Sequence, residues 1–140
     1  MPLIYRSMSA DGDKPLIGAS ADALGVRVPP AHRSDIVPDA SGFVSFGTGG
    51  MSVAPAWRDL PLHRIPSRLR DLVQGARGKN SLCCWKMGEG EFAAGSVAAR
   101  LLLRLENARH GLVEPAQKMS LDDYQADLAA TRDQWVRDEA

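Results

Sequence analysis

The sequence predicts an α+β fold in which several short strands precede one C-terminal helix. Eight of the 9 prolines and seven of the 13 glycines lie in the first 66 residues, whereas residues 118–140 contain neither. Apolar side chains on one stripe of that last segment indicate an amphipathic helix. A doubly wound parallel sheet would require regular alternation of strands and helices, which is absent. We therefore expect one α+β domain spanning residues 1–140.

The sequence of the first half of the chain predicts little regular secondary structure. The apolar run at residues 2–7 is typical of a strand, and the polar turn that follows it ends the run. Residues 15–42 are rich in glycine and proline and should be mostly irregular, with at most a helical turn at 19–24. Residues 42–46 predict a brief strand that leads into a glycine cluster.

The second half predicts regular elements. Residues 81–87, 100–106 and 109–114 read as strands, and Asn107-Ala108 between the last two is typical of a hairpin turn. Ser120, three residues before Asp123, resembles a capping box. The spacing of the apolar residues that follow predicts a helix over residues 120–137, with Trp135 packed on the sheet.

Composition excludes several classes of protein. The 17 basic and 17 acidic residues cancel, so no global field attracts nucleic acid or anionic lipid. No apolar run approaches the ~20 residues of a membrane span, and the start lacks signal-peptide features, so we expect a cytoplasmic protein. Adjacent Cys83 and Cys84 are expected to be reduced, structural thiols, and the lack of metal-ligand spacing predicts no metal site.

The cluster Gly47-Thr48-Gly49-Gly50 follows a predicted strand and is a candidate phosphate-binding turn. Glycines permit positive φ and let backbone amides approach an anion closely. Neither the dinucleotide-binding fingerprint nor the P-loop pattern is satisfied, and the downstream prolines rule out the helix that those loops need. A tight turn between strands is the alternative.

Arg6 is the candidate cation of the first predicted strand. Alternation along a strand places Tyr5 and Arg6 on opposite faces. A guanidinium held by a sheet can bind phosphate through two parallel hydrogen bonds. An edge arginine with its head group in water explains the same pattern.

Charge is distributed unevenly along the chain. Residues 58–79 carry six basic and two acidic side chains, whereas residues 118–140 carry three basic and six acidic ones. The basic stretch is either a solvated face or a contact for a nucleotide or nucleic acid. Glu89, Glu91 and Glu114 are the carboxylates nearest to predicted strand ends, where a general base could sit.

Four segments in order resemble the small ADP-ribosyltransferase-like toxin effectors known from type VI secretion. They are LIYR at 3–6, SDIV at 34–37, TGGMSV at 48–53 and HGLVEPA at 110–116, the last lying before Met119 and the terminal helix. The resemblance implies mixed sheets around a central cleft that holds NAD, which is the substrate.

The resemblance also implies roles for particular residues. Arg6 matches the first-strand arginine of the superfamily, and Thr48 and Ser52 match its later serine or threonine. Glu114 is the candidate for the late carboxylate, with Glu89 and Glu91 behind it. In this interpretation the catalytic residues are Arg6, Ser52 and Glu114, and NAD is held by Tyr5, Arg6, Thr48, Gly49, Gly50, Ser52 and Trp57.

The partners that the resemblance implies are NAD, an unknown macromolecular target inside a cell, and an immunity protein or antitoxin. A carboxylate near the anomeric carbon would stabilise the positive charge that develops when the nicotinamide bond breaks. Two alternatives stay open. In the first alternative, the chain is a non-catalytic interaction module on the same scaffold. In the second, it is a transferase that modifies RNA or another nucleic acid through residues 58–79.

Overall fold

A computed structural model describes residues 1–30 and 33–139, and in this part of the chain ten short strands accompany one α-helix. The α+β class is confirmed. The helix α1 spans Leu121–Ala129. The strands are β1 (Ile4–Asp11), β2 (Lys14–Pro15), β3 (Phe43–Val44), β4 (Met51–Val53), β5 (Leu82–Met87), β6 (Gly95–Ala98), β7 (Leu101–Asn107), β8 (His110–Pro115), β9 (Met119–Ser120) and β10 (Val136–Arg137).

The strands form two four-stranded sheets and one two-stranded ribbon. The first sheet has the order β10-β5-β1-β2, the second has the order β4-β8-β7-β6, and β3 pairs with β9. Every pairing between these strands is antiparallel. An antiparallel bridge between Tyr5 and Ala54 joins the two large sheets, with N–O distances of 2.7 and 2.9 Å. The first sheet therefore meets the second at the end of β4.

The main core lies between the sheets and the helix. Its largest fully buried side chains include Trp85, Trp135, Tyr124 and Met8. A smaller cluster of Ala54, Leu60, Ile65, Leu69 and Cys84 lies on the other side of the first sheet.

Residues 57–72 cover that smaller cluster with three 3₁₀ helices, Trp57–Asp59, Leu62–Arg64 and Ser67–Leu72. Pro61 and Pro66 precede the last two, and each fixes an extended backbone where a longer helix would otherwise continue. Leu60, Ile65 and Leu69 bury their side chains in the cluster. This segment therefore forms a wall whose residues 60–64 lie beside β4. Every helix in the described chain is too short and too polar to cross a membrane.

Most of the predicted strands are confirmed. The strands at 81–87, 100–106 and 109–114 are β5, β7 and β8, and the hairpin turn lies one residue later than predicted, at 108–109. The first strand is longer than predicted. It continues to Asp11, because Ser9 still pairs with Leu82 and the next two residues pair with β2.

The C-terminal helix is shorter than predicted. The Ser120 hydroxyl accepts a hydrogen bond from the Asp123 amide at 3.1 Å, so the predicted cap is confirmed, but α1 ends at Ala129. The Thr131 hydroxyl then donates to the Leu128 carbonyl at 2.7 Å, and a short 3₁₀ helix leads into β10 on the edge of β5. Edge pairing overrides the helical periodicity in this segment.

The helical turn predicted at residues 19–24 is reduced to one turn, in which the Ala23 amide donates to the Ser20 carbonyl at 3.4 Å. These residues form bends and turns, closed by a parallel bridge between Ile17 and Leu24. The Arg6 guanidinium bonds to their carbonyls, as described below, so tertiary contacts replace the local helical bonds.

Trp135→Ala should destabilise the fold strongly. The indole is fully buried, and its N–H donates to the Thr131 hydroxyl at 3.0 Å. We expect a loss of ~3–5 kcal/mol in the free energy of unfolding, measured by urea titration, because a large cavity remains and the indole hydrogen bond is lost. Val136→Ala is the control, since that side chain is 54% exposed. Equal stability of the two variants would contradict the packing described here.

Cys83 and Cys84 should differ in reactivity toward a maleimide. Both thiols are free, and strand alternation leaves Cys83 half-buried and Cys84 fully buried. Burial, with Asp138 and Glu139 nearby, raises the pKa of Cys84 to about 12. Since the thiolate is the nucleophile, the native protein should take up one label at pH 8, and Cys83→Ser should abolish that labelling. Two labels in the folded protein would show that Cys84 opens readily.

Candidate functional site

A cleft with a volume of about 170 Å³ lies where the irregular residues 21–27 and 33–35, strand β4 and the wall at residues 61–64 meet. It is lined by Arg6, Ala21, Arg27, Arg33, Asp35, Ser52, Pro61, His63 and Arg64. Four of these residues are arginines. A smaller hollow of about 30 Å³ adjoins it across Ser52 and reaches His110.

Arg6 reaches the cleft from β1 and is only 6% exposed. Its Nε donates to the Ala23 carbonyl at 3.3 Å, its Nη2 donates to the same oxygen at 3.0 Å, and its Nη1 donates to the Ser52 carbonyl at 2.8 Å. Longer bonds of 3.4 Å reach the carbonyls of Ala21 and Gly25. The guanidinium therefore ties the irregular segment to β4.

The electrostatic environment of Arg6 is unusual. Burial, and next the positive charge of Arg64, lower the pKa of Arg6 to about 10, although Asp35 and Tyr124 oppose this change. The side chain stays protonated at neutral pH. Its bonds to carbonyl oxygens satisfy a buried charge that lacks a carboxylate partner in the described chain.

The structure brings Arg6 and Ser52 together, 46 residues apart in sequence. The contact runs through the Ser52 carbonyl, not its hydroxyl, and the half-buried Ser52 side chain lines the cleft. Register places Ser52 opposite Leu112 on β8. Met51 and Val53, on the opposite face of β4, are buried in the main core.

The glycine turn does not line the cleft. The Thr48 hydroxyl donates to the Ser45 carbonyl at 2.6 Å, and the Gly50 amide donates to the Asp35 carbonyl at 3.0 Å. A Cβ atom on Gly49 would lie 2.2 Å from the Asp35 carbonyl oxygen, and one on Gly50 would lie 2.4 Å from that of Val113. The glycines therefore serve the close approach of the chain to itself, and they hold Asp35 at the edge of the cleft.

Glu114 lies outside the cleft and is fully buried. One carboxylate oxygen accepts the Gly47 amide at 2.7 Å, and the other accepts the Arg104 Nε. Both oxygens are thus occupied, one by the glycine turn and the other by Arg104 of β7. The other two candidate carboxylates, Glu89 and Glu91, are exposed beside the first residues of the chain and do not line the cleft.

Tyr5 and Trp57 also lie away from the cleft. The Tyr5 hydroxyl donates to an Asp138 carboxylate oxygen at 3.0 Å, and burial together with Asp138 raises its pKa to about 12. Tyr5 and Trp57 pack against the smaller apolar cluster, and the Arg58 guanidinium lies 5.0 Å from the Trp57 ring centroid. Neither ring lines the cleft.

Two other arginines of the cleft, Arg27 and Arg64, are held by carboxylates. Arg27 donates through Nε and Nη2 to Asp35 at 3.2 and 3.0 Å. Arg64 donates to Asp22 at 2.7 Å and to the Ala21 carbonyl, and Lys79 holds the other oxygen of Asp22 at 2.6 Å. The two hydrogen-bonded cations lower the pKa of Asp22, although burial opposes them.

The sequence analysis missed Arg27, Arg33, Asp35, His63 and Arg64 as residues of one site. Two signals were present in the sequence: the long irregular segment that carries the first three, and the basic stretch that carries the last two. Only the tertiary contact between these segments makes them one site.

No protein-family model matches this chain, and no curated protein matches it either. The geometry of the cleft therefore carries the functional inference. Four guanidinium groups, an imidazole and a hydroxyl surround it, and Asp35 is its only lining carboxylate among the described residues. Such a surface favours a ligand that carries phosphate groups.

Glu114→Gln should destabilise the fold whatever the reaction is. The amide keeps one acceptor but loses the charge that pairs with Arg104, and its NH₂ group faces donors. We expect a loss of about 2–3 kcal/mol in unfolding free energy, measured by urea titration. Glu91→Gln, at an exposed position, should leave stability unchanged. A stable but inactive Glu114→Gln protein would restore Glu114 as a catalytic candidate.

Proposed function

We propose that this chain is an ADP-ribosyltransferase that binds NAD in the arginine cleft and breaks the bond between nicotinamide and ribose. Two lines support the proposal: the four sequence segments that resemble ADP-ribosyltransferase-like toxin effectors, and the convergence of Arg6 and Ser52 in one cleft. The single observation that carries it is that this cleft is cationic, with one hydroxyl and one carboxylate at its wall.

The size and charge of the cleft suit the centre of a dinucleotide. NAD carries a pyrophosphate between two nucleosides, and arginine binds such groups through paired N–H donors. A volume of about 170 Å³ accommodates the pyrophosphate and part of a ribose. In this proposal the nicotinamide and adenine rings extend beyond the cleft.

Asp35 and Ser52 are the groups that would act on the reacting ribose. Both carboxylate oxygens of Asp35 accept hydrogen bonds from Arg27, and the Gly50 amide donates to the Asp35 carbonyl, so Asp35 is fixed at the cleft before a ligand binds and would act there as one half of an ion pair. As nicotinamide leaves with the bonding electrons, positive charge develops on the ribose, and a nearby carboxylate lowers the energy of that state. The acceptor then bonds to the anomeric carbon and loses a proton.

The Ser52 hydroxyl orients the sugar in this mechanism. Its backbone is fixed on both sides, by the ladder with β8 and by the bond from Arg6 to its carbonyl. A positioned hydroxyl limits the geometries that the bound sugar can adopt. In this mechanism Glu114 has a structural role. The acceptor of the ADP-ribose is an intracellular macromolecule. An immunity protein or antitoxin is the partner that blocks the cleft.

A non-catalytic interaction module is the second candidate. It is favoured by one observation: the carboxylate that the resemblance assigns to catalysis, Glu114, is fully buried and bonded to Gly47 and Arg104. In that case the cleft binds a phosphorylated group without chemistry.

Release of nicotinamide from NAD distinguishes the two candidates. The protein should release nicotinamide and transfer the labelled ADP-ribose to a component of a cell lysate. Asp35→Asn and Ser52→Ala should each lower the rate by about 10²–10³-fold, as expected for loss of one preorganised polar group.

The matched controls are Asp13→Asn and Ser41→Ala, which change exposed residues outside the cleft and should keep the full rate. Melting temperatures of all four variants separate loss of chemistry from loss of fold. If the native protein binds ADP-ribose but releases no nicotinamide with or without lysate, the interaction module is the correct description.

A further inference from the structure

The hydrogen bonds of Arg6 leave little of its guanidinium for a ligand. An arginine has five N–H donors. The Nε and both N–H groups of Nη2 are directed at carbonyls of residues 21–25, and Nη1 donates to the Ser52 carbonyl. One N–H group of Nη1 remains without a partner among the described residues. Arg6 is therefore built to hold the cleft together.

The other three arginines that line the cleft keep donors without partners in the described chain. Among the described residues, Arg27 has no partner for Nη1, and Arg64 has none for Nε and Nη1. Arg33 is exposed at the cleft and forms no hydrogen bond or ion pair within the described chain. Since Asp22 and Asp35 already hold Arg64 and Arg27, the remaining donors of these two arginines are ordered before a ligand arrives.

His63 adds an imidazole to these three arginines from the wall of the cleft. The Arg77 amide donates to the Leu62 carbonyl at 2.7 Å, and the Ile65 amide donates to the Arg77 carbonyl at 3.2 Å. The absence of a side chain on Gly78 allows this contact, because a Cβ atom there would lie 3.1 Å from the His63 carbonyl oxygen. Arg77 is thereby fixed beside His63.

We propose that Arg27, Arg33, His63 and Arg64 form a pyrophosphate-binding site at the mouth of the cleft, and that Arg6 supports this site without being its main anchor. The geometry carries the assignment: the free donor edges belong to these residues, while the donors of Arg6 end on the chain's own carbonyls. The inference rests on the proposed function only for the identification of the ligand as NAD. The site itself requires no chemistry.

The charges around His63 couple this site to pH. Burial, and then Arg64, Arg77, Arg33 and Arg27, lower the pKa of His63 from its ordinary value. Asp35 and Arg6 are the other charged groups that line the cleft. A bound anion offsets the cationic neighbours, so it raises the pKa of His63 and the complex takes up a proton. Affinity should therefore increase as the pH falls through the pKa of the complex and level off below that of the free protein.

The experiment uses inorganic pyrophosphate and the imidazole resonances of His63, assigned by loss of the signal in His63→Gln. We expect a titration midpoint below ~6.5 in the free protein and a higher midpoint with saturating pyrophosphate. Calorimetry should show about a tenfold weaker affinity for Arg33→Gln, with an unchanged melting temperature. Arg6→Lys should lower the melting temperature instead, because an ammonium cannot span the same carbonyls.

Arg68→Gln is the matched control, because it removes the same charge from an exposed position outside the cleft. It should change the affinity less than twofold. An equal loss in Arg33→Gln and Arg68→Gln, or no displacement of the His63 midpoint by pyrophosphate, would overturn the site.

The inference and the proposed function fail separately. Pyrophosphate binding that depends on Arg33, without release of nicotinamide, supports the site and removes the transferase. In the opposite case, the native protein releases nicotinamide, the rate is unchanged by Arg33→Gln, and pyrophosphate does not bind. That result removes the site and supports the transferase.

Discussion

The arrangement of the cleft depends on one buried cation, the Arg6 guanidinium. Its bonds to the carbonyls of Ala23 and Ser52 connect three parts of the chain: β1, the irregular segment before residue 26, and β4. Burying a charge without a carboxylate partner is costly, and the pKa of about 10 records that cost. The contact persists because carbonyl dipoles converge on the group.

A second set of buried polar contacts fixes the floor behind the cleft. The Tyr124 hydroxyl donates to the Val113 carbonyl and accepts the Met51 amide at 3.2 Å, so α1 is joined to both β4 and β8. Glu114 of β8 accepts the Gly47 amide and so holds the glycine turn against that strand. These residues hold β4, and therefore Ser52, in place. The carboxylate of Glu114, which the resemblance assigns to catalysis, thus also makes contacts that the fold uses.

Local patterns in the sequence predicted β5, the β7–β8 hairpin and the Ser120 cap, because alternation, turn chemistry and capping act within a few residues. The resemblance predicted that Arg6 and Ser52 meet. The end of α1, β10 and the other cations of the cleft were not predictable in this way. Arg64 meets its carboxylate partner Asp22 across 42 residues, and no local period encodes such a contact. Likewise, β10 exists because β5 offers an unpaired edge.

A chain with no net charge thus forms a strongly cationic cleft through the placement of its carboxylates. Asp22 pairs with Arg64 and Asp35 pairs with Arg27, and these pairs fix the two guanidinium groups but leave Nη1 of each without a partner in the described chain. Because these side chains are already ordered, an incoming anion would order few rotamers, and preorganisation of this kind favours affinity more than additional charge does. Arg33, which is exposed and unpaired in the described chain, is then the one arginine of the cleft whose ordering must accompany binding.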